Sequence, residues 1–253
     1  MDLHLTGTTA LVTGGTRGIG RAIVAAFVAE GANVAFCARS AAEVASVEAS
    51  FADAPATVVG SVVDVRDGAA MAAWVASSAE RFGGIDAIVS NVSALAIPDT
   101  EQNWIDSFEV DLMGTVHLVK AAVPHLEKSA AGSIVAISSV SGREVDFASG
   151  PYGTVKSALI GYIAGLAFQL AASGIRANTV SPGNTYEDGG VWAGIEQGNP
   201  ELFDMAMGLN PTGRMGTPQE IAASVVFLSS PMSSRTTGAN LLVDGGLSRG
   251  IQF

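Results

Sequence analysis

Tyr152 and Lys156 stand four residues apart in the run PYGTVKSALIGYIAGLAFQL. On a helix that spacing brings both side chains to one face, where they can reach the same ligand. A tyrosine titrates near 10 and a lysine near 10.4, so neither alone suits proton transfer at neutral pH. An ammonium beside the phenol stabilises the phenolate and draws the tyrosine toward that task. A pair with this spacing also arises by chance on helix surfaces, so its neighbours decide its meaning. A second run with a chemical use is TGGTRGIG at 13–20, where Gly14, Gly18 and Gly20 follow an apolar stretch and open a helical one. Glycines there let the backbone turn tightly and approach a phosphate, while the helix start offers free N–H groups. Read alone, the same loop is an ordinary strand-to-helix turn.

Both groups need a scaffold, and the chain supplies a regular one. Apolar runs at 9–13, 33–37, 57–63, 86–90, 133–138, 175–181 and 240–244 read as strands. Segments of helical period lie between them, among them 101–128, 152–172 and 218–229. Seven strands alternating with helices predict an α/β fold: a Rossmann-type, doubly wound, mostly parallel sheet with helices on both faces. Ligands then belong at the carboxyl ends of the strands, where the glycine loop falls. No Pro/Ser-rich linker divides the 253 residues, so they are read as one domain. Residues 184–217 break the rhythm with two prolines and seven glycines, yet carry Trp192, Phe203, Met205 and Met207. Such apolar content points to a substrate lid rather than a disordered insert.

Composition narrows the classes. A net charge of -11 repels phosphate backbones and anionic lipid, against nucleic-acid or membrane partners. Cys37, the single cysteine, excludes an internal disulfide, and the start shows no basic and apolar signal pattern, so a cytoplasmic location is expected. No charged residue lies between Lys156 and Arg176. Because Gly161, Gly165, Gln169 and Ser173 interrupt that stretch, it is read as a soluble helix apolar all round, buried in a core or a subunit interface. His4, His117 and His125 are scattered, which gives no support for a metal; the last two are expected at the surface or an interface.

The loop T-G-x-x-x-G-x-G is followed in order by Asp64, Asn91 in SNVS, Ser139 in ISSVSG, Tyr152-x-x-x-Lys156, Pro182-Gly183 and VDGG at 243–246. Over nearly the whole chain this order resembles the short-chain dehydrogenase/reductase family, in a branch like the 3-oxoacyl carrier-protein reductases. The resemblance implies a nicotinamide cofactor bound by Gly14, Thr16, Arg17, Gly18, Ile19, Gly20, Asn91, Pro182 and Gly183. It further implies Asp64 and Val65 at the adenine and Lys156 at the nicotinamide ribose. Ser139, thirteen residues before Tyr152, would hold the substrate oxygen. Tyr152 would give or take its proton as hydride passes between the nicotinamide and the substrate carbon. A homotetramer is the usual family state. Asp64 could instead be a loop carboxylate capping the next helix.

At the end of the second strand run, where a carboxylate would bind the NAD ribose, the chain has Ala38 and then Arg39. An arginine can fork onto a 2′-phosphate, and Arg17 adds a second charge, so NADP(H) is expected over NAD(H). The plainer readings are a solvated Arg39 and an Arg17 that only packs its stem. Three positions depart from the family. Asp111 in VDLMGT replaces an asparagine; it can accept hydrogen bonds but offers no amide N–H, and serves either as a relay group or as a structural partner of the lysine. Ser93 replaces a glycine, and Glu187 replaces a threonine that would touch the carboxamide.

The expected activity is therefore interconversion of a carbonyl and a secondary alcohol on a small to medium, largely apolar substrate. A 3-oxoacyl carrier-protein reductase is the second enzyme reading, weakened by the acidity, since only Arg143 and Arg214 are basic near the presumed mouth. A cofactor-binding regulatory protein is the reading from another class, opposed by the intact Ser139, Tyr152 and Lys156.

Overall fold

The computed structural model describes residues 2–250. Its strands are β1 (Thr9–Thr13), β2 (Asn33–Ala38), β3 (Val58–Val62), β4 (Ala87–Ser90), β5 (Ser133–Ile137), β6 (Arg176–Pro182) and β7 (Asn240–Val243). They pair in the order β3-β2-β1-β4-β5-β6-β7, every pairing parallel. Inner strands such as β1 and β5 are buried at every residue, which explains why they read as unbroken apolar runs rather than alternations.

The helices are α1 (Gly18–Ala29), α2 (Ala41–Ala49), α3 (Gly68–Phe82), α4 (Glu101–Asp106), α5 (Gly114–Leu126), α6 (Pro151–Leu170), α7 (Val191–Gly198), α8 (Pro200–Leu209) and α9 (Pro218–Ser229). Ile23 and Phe27 of α1, Val44 of α2 and Val225 of α9 fill one face of the sheet with Phe36. Met71 and Trp74 of α3, Leu118 of α5 and Ile163 of α6 fill the other with Leu11 and Ile134. Local signals set the ends. Asp67 caps α3 by accepting from the N–H groups of Ala69 and Ala70 at 3.0 Å, and Gly83, at φ 79°, ends it in the left-handed region. Thr217 and Glu220 close a reciprocal capping box on α9.

Two segments differ from the sequence expectation. The span 101–128 is helical through Leu126 as expected, but not α throughout: α4 and α5 are joined by a π-helical stretch, Ser107–Met113, whose extra residue per turn leaves no mark in the apolar period. The 184–217 insertion folds as two short helices, α7 and α8, around Trp192, Ala206 and Met215. Trp192 meets Phe203 edge-on at 6.5 Å and Phe147, in the loop before α6, at 6.3 Å.

Helix α6 is only half of what its composition suggested. With the turn after it, it is long and apolar enough to cross a membrane by length and composition, and 33% of its most apolar window is buried. Val155, Leu159, Ile163 and Leu166 face the core, whereas Thr154, Ala158, Gly161, Gly165 and Phe168 form an exposed stripe. Within one chain the helix is therefore not buried all round.

Candidate active site

The strand order turns back between β1 and β4, and the carboxyl ends on either side of that point frame a cleft of about 1390 Å³. Every cofactor-binding candidate named from the sequence lines it, together with Ser139 and Tyr152. Asp111 does not.

The glycine loop is an open cradle by construction. Gly14 (φ 69°) and Gly18 (φ 58°) occupy the left-handed region, and a side chain at Gly20 would collide with the Gly14 carbonyl oxygen. Asn91, at the end of β4, reaches across and donates its amide to the carbonyls of Thr13 (3.1 Å) and Gly14 (3.3 Å). Its role is thus partly to hold the loop. The first turn of α1 contains no acidic residue, and Arg17 makes no side-chain cap. Free N–H groups in a glycine cradle fit a dinucleotide pyrophosphate. One of them, the Gly18 N–H, donates to Glu187 Oε1 at 3.1 Å.

Arg17, Arg39, Asp64 and Val65 also line the cleft, with Arg39 close enough to Asp64 for its charge to act there. Asp64 does not cap α3, since Asp67 does. Instead Arg66 grips it, Nη2 donating to Oδ2 at 2.7 Å and Nε to Oδ1 at 3.2 Å. That hydrogen bond first, then the charges of Arg66 and Arg39, outweigh partial burial and hold the Asp64 carboxyl below the usual range. His117, expected at the surface or an interface, is half-buried on α5 with Nδ1 3.0 Å from the Val65 carbonyl oxygen, so it secures the same loop.

The catalytic end is built by close packing between a turn and a helix. Ser139 follows β5 in extended backbone and begins a tight turn through Gly142. A Cβ at Gly142 would lie 2.9 Å from the Lys156 backbone, and one at Gly153 would lie 2.8 Å from the carbonyl oxygens of Ser141 and Ala148. Only glycine lets α6 press this near, and Ser138 Oγ fastens the contact by donating to the Lys156 carbonyl at 2.8 Å. Ser139 Oγ accepts from the Ser141 N–H at 3.2 Å, which leaves its own proton available to donate. Ser141 Oγ in turn donates to Asp146 Oδ2 at 2.6 Å.

Lys156 is 2% exposed; Nζ donates to the Ile137 carbonyl at 3.0 Å, lies 2.9 Å from Asp111 Oδ1, and sits 5.6 Å from the Tyr152 ring centroid. Burial alone pushes the ammonium down, but Asp111 and then Tyr152 outweigh it and hold Lys156 above its ordinary 10.5. Asp111, also 2% exposed, comes from the π-helical stretch, and its Oδ2 accepts from the Ala94 N–H at 2.8 Å. Asp111 is thus an ion-pair partner of Lys156. Sequence reasoning missed Arg66, Ser138, the Ser141–Asp146 pair and the reach of Glu187; each is a contact between segments that carry no shared motif. Among the described residues, no group of three His, Cys, Asp or Glu side chains could hold a metal.

The family model described as enoyl-(acyl carrier protein) reductase matches residues 14–248. Isoepoxydon dehydrogenase patN of Penicillium expansum is 42% identical over 98% of both chains. L-fucose dehydrogenase of Bos taurus is 35% identical over 99% of this chain and 93% of its own. Among solved structures, an NADPH-bound short-chain oxidoreductase of Pseudomonas aeruginosa, described as having an atypical catalytic centre, superposes with a TM-score of 0.89 at 29% identity, covering 97% of this chain and 99% of its own. Agreement in sequence, in strand order and in the assembled cleft makes this chain a member of the short-chain dehydrogenase/reductase family, an oxidoreductase acting on alcohols and carbonyls.

Proposed function

We propose that the protein interconverts a small carbonyl and a secondary alcohol with NADP(H), Tyr152 acting as the general acid and base. The observation that carries this reading is the charged, buried Lys156 set 5.6 Å from the Tyr152 ring in the cleft that also holds Ser139 and the glycine loop. Bound there, the nicotinamide would supply or accept hydride. Ser139, its acceptor side fixed by the Ser141 N–H, donates to the substrate oxygen. Tyr152 passes a proton to that oxygen in reduction and withdraws it in oxidation. Lys156 keeps positive charge beside the phenol, with one ammonium hydrogen left over for a ribose hydroxyl.

Arg17 and Arg39 support NADP(H): both line the cleft, Arg39 near Asp64, and that carboxylate is already gripped by Arg66. The NADPH-bound relative agrees with this choice. Phe147 and Trp192 give the substrate end apolar walls, and Ser141 with Asp146 gives it a polar handle beside Ser139. Such a site suits a small carbonyl compound with a further hydroxyl, in keeping with the relative named for L-fucose. The 3-oxoacyl carrier-protein reading is disfavoured, because Arg214 is paired with Glu220 and Glu144, Asp146 and Asp188 line the cleft. A homotetramer, joined through the exposed stripe of α6, and a cytoplasmic setting complete the proposal.

One experiment tests it: NADPH and NADH titrations of the wild type and Tyr152→Phe, with turnover followed on a carbonyl panel. Tyr152→Phe should bind NADPH within about threefold of wild type and lose at least about 10²-fold in turnover. Substantial residual turnover refutes the role of Tyr152, and NADH binding as tight as NADPH refutes the cofactor preference.

A further inference from the structure

The Glu187 carboxylate lies across the start of α1. Its Oε1 accepts from the Gly18 N–H at 3.1 Å, and its Oε2 is 3.2 Å from where a Cβ of Gly18 would stand. The first turn of α1 has no acidic residue of its own and Arg17 contributes no cap, so this carboxylate comes from a residue 169 positions away. An N–H group at this helix start is what a pyrophosphate would use, and two anions cannot share it without strong repulsion.

What Glu187 is attached to gives the contact its consequence. On its N-terminal side the chain is anchored: Tyr186 N–H donates to the Gly216 carbonyl at 2.9 Å, and Thr185 bridges to Gly216. On its C-terminal side only Asp188, Gly189 and Gly190 separate it from α7, with Gly189 at φ 72° and the Gly190 N–H donating to the Glu187 carbonyl at 3.0 Å. Movement of Glu187 is therefore passed forward into α7 rather than back into β6. Helix α7 carries Trp192, the residue that meets Phe147 beside the catalytic turn.

We propose that Glu187 is an electrostatic latch between the 184–217 lid and the glycine loop, which the cofactor pyrophosphate displaces from the Gly18 N–H. The proposal rests on the cofactor reading of the cleft. Glu187 lowers cofactor affinity by competing for the Gly18 N–H, and its release frees the lid for substrate only after the cofactor is seated. It acts as a positioning residue for the lid.

The test is NADPH titration of the wild type, Glu187→Gln, Glu187→Ala and Asp188→Asn, with hydrogen exchange of 184–217 measured with and without NADPH. Asp188→Asn removes the same charge one residue away without touching Gly18, and so controls for general repulsion. Both Glu187 variants should bind NADPH about tenfold more tightly, Asp188→Asn within about twofold. Cofactor should raise lid exchange in the wild type, while the Glu187 variants should exchange fast already without it. Equal or weaker NADPH binding in both Glu187 variants, or an equal gain in Asp188→Asn, overturns the latch alone. Failure of the wild type to bind either NADPH or NADH overturns the cofactor reading and the latch together.

Discussion

Lys156 and Asp111 form a buried ion pair in which neither partner has water to fall back on. Removing one member of such a pair strands the other, at a cost of about 3–5 kcal/mol. Because the folded ammonium titrates above its ordinary value, its contribution to stability is complete at pH values below 10.5 and is lost only as pH rises through the higher folded value. Asp111→Asn should therefore lower stability at pH 7 by about 3 kcal/mol in denaturant titrations. Activity at the optimum should stay within about tenfold of wild type. A far larger loss would show that the carboxylate itself moves protons. Tyr152 and Lys156 were legible as a pair through their four-residue spacing, and Ser139 through the family resemblance. The pairing of Asp111 with Lys156 was not, because it joins segments 45 residues apart and shows only as a distance to Nζ.

The elements that carry these residues work through near-contact rather than through long-range force. Gly153 follows Tyr152 directly and faces two carbonyl oxygens that a methyl group would meet at 2.8 Å. Gly153→Ala should force the 141–148 loop back from α6, costing about 1–3 kcal/mol in unfolding experiments. With NADPH affinity unchanged, its kcat/KM should fall about tenfold or more, as expected when catalytic groups are misplaced by a fraction of an ångström. Unchanged kcat/KM would mean that the loop does not set the position of Ser139. The inner strands were readable because burial on both faces writes them as apolar runs. The π-helical stretch was hidden, since a single extra residue in a turn shifts the apolar period too little to notice. The fold of the lid was equally hidden: its small glycine-interrupted helices find their partners only in three dimensions.

Across the whole molecule, the exposed stripe on α6 is lined by Gly161 and Gly165, where an added Cβ would meet nothing within 4 Å, and ends in Phe168 at 88% exposure. Small residues there allow another helix to approach closely, and the apolar ring would anchor it. Phe168→Glu should reduce the mass in light scattering from four chains of 25.6 kDa to a smaller species, with NADPH binding kept within about twofold. A wild-type protein that already runs as a single chain would refute the tetramer. The position of the cleft has a consequence for how the sheet is joined. Strands β3, β2 and β1 come from the first half of the chain and lie on one side of the β1–β4 seam; the later strands lie on the other. β1 keeps an open edge until β4 arrives from more than 70 residues further on. The cleft straddles that seam, so any ligand it accepts acts as a clasp between the β3-β2-β1 and β4-β5-β6-β7 parts of the sheet.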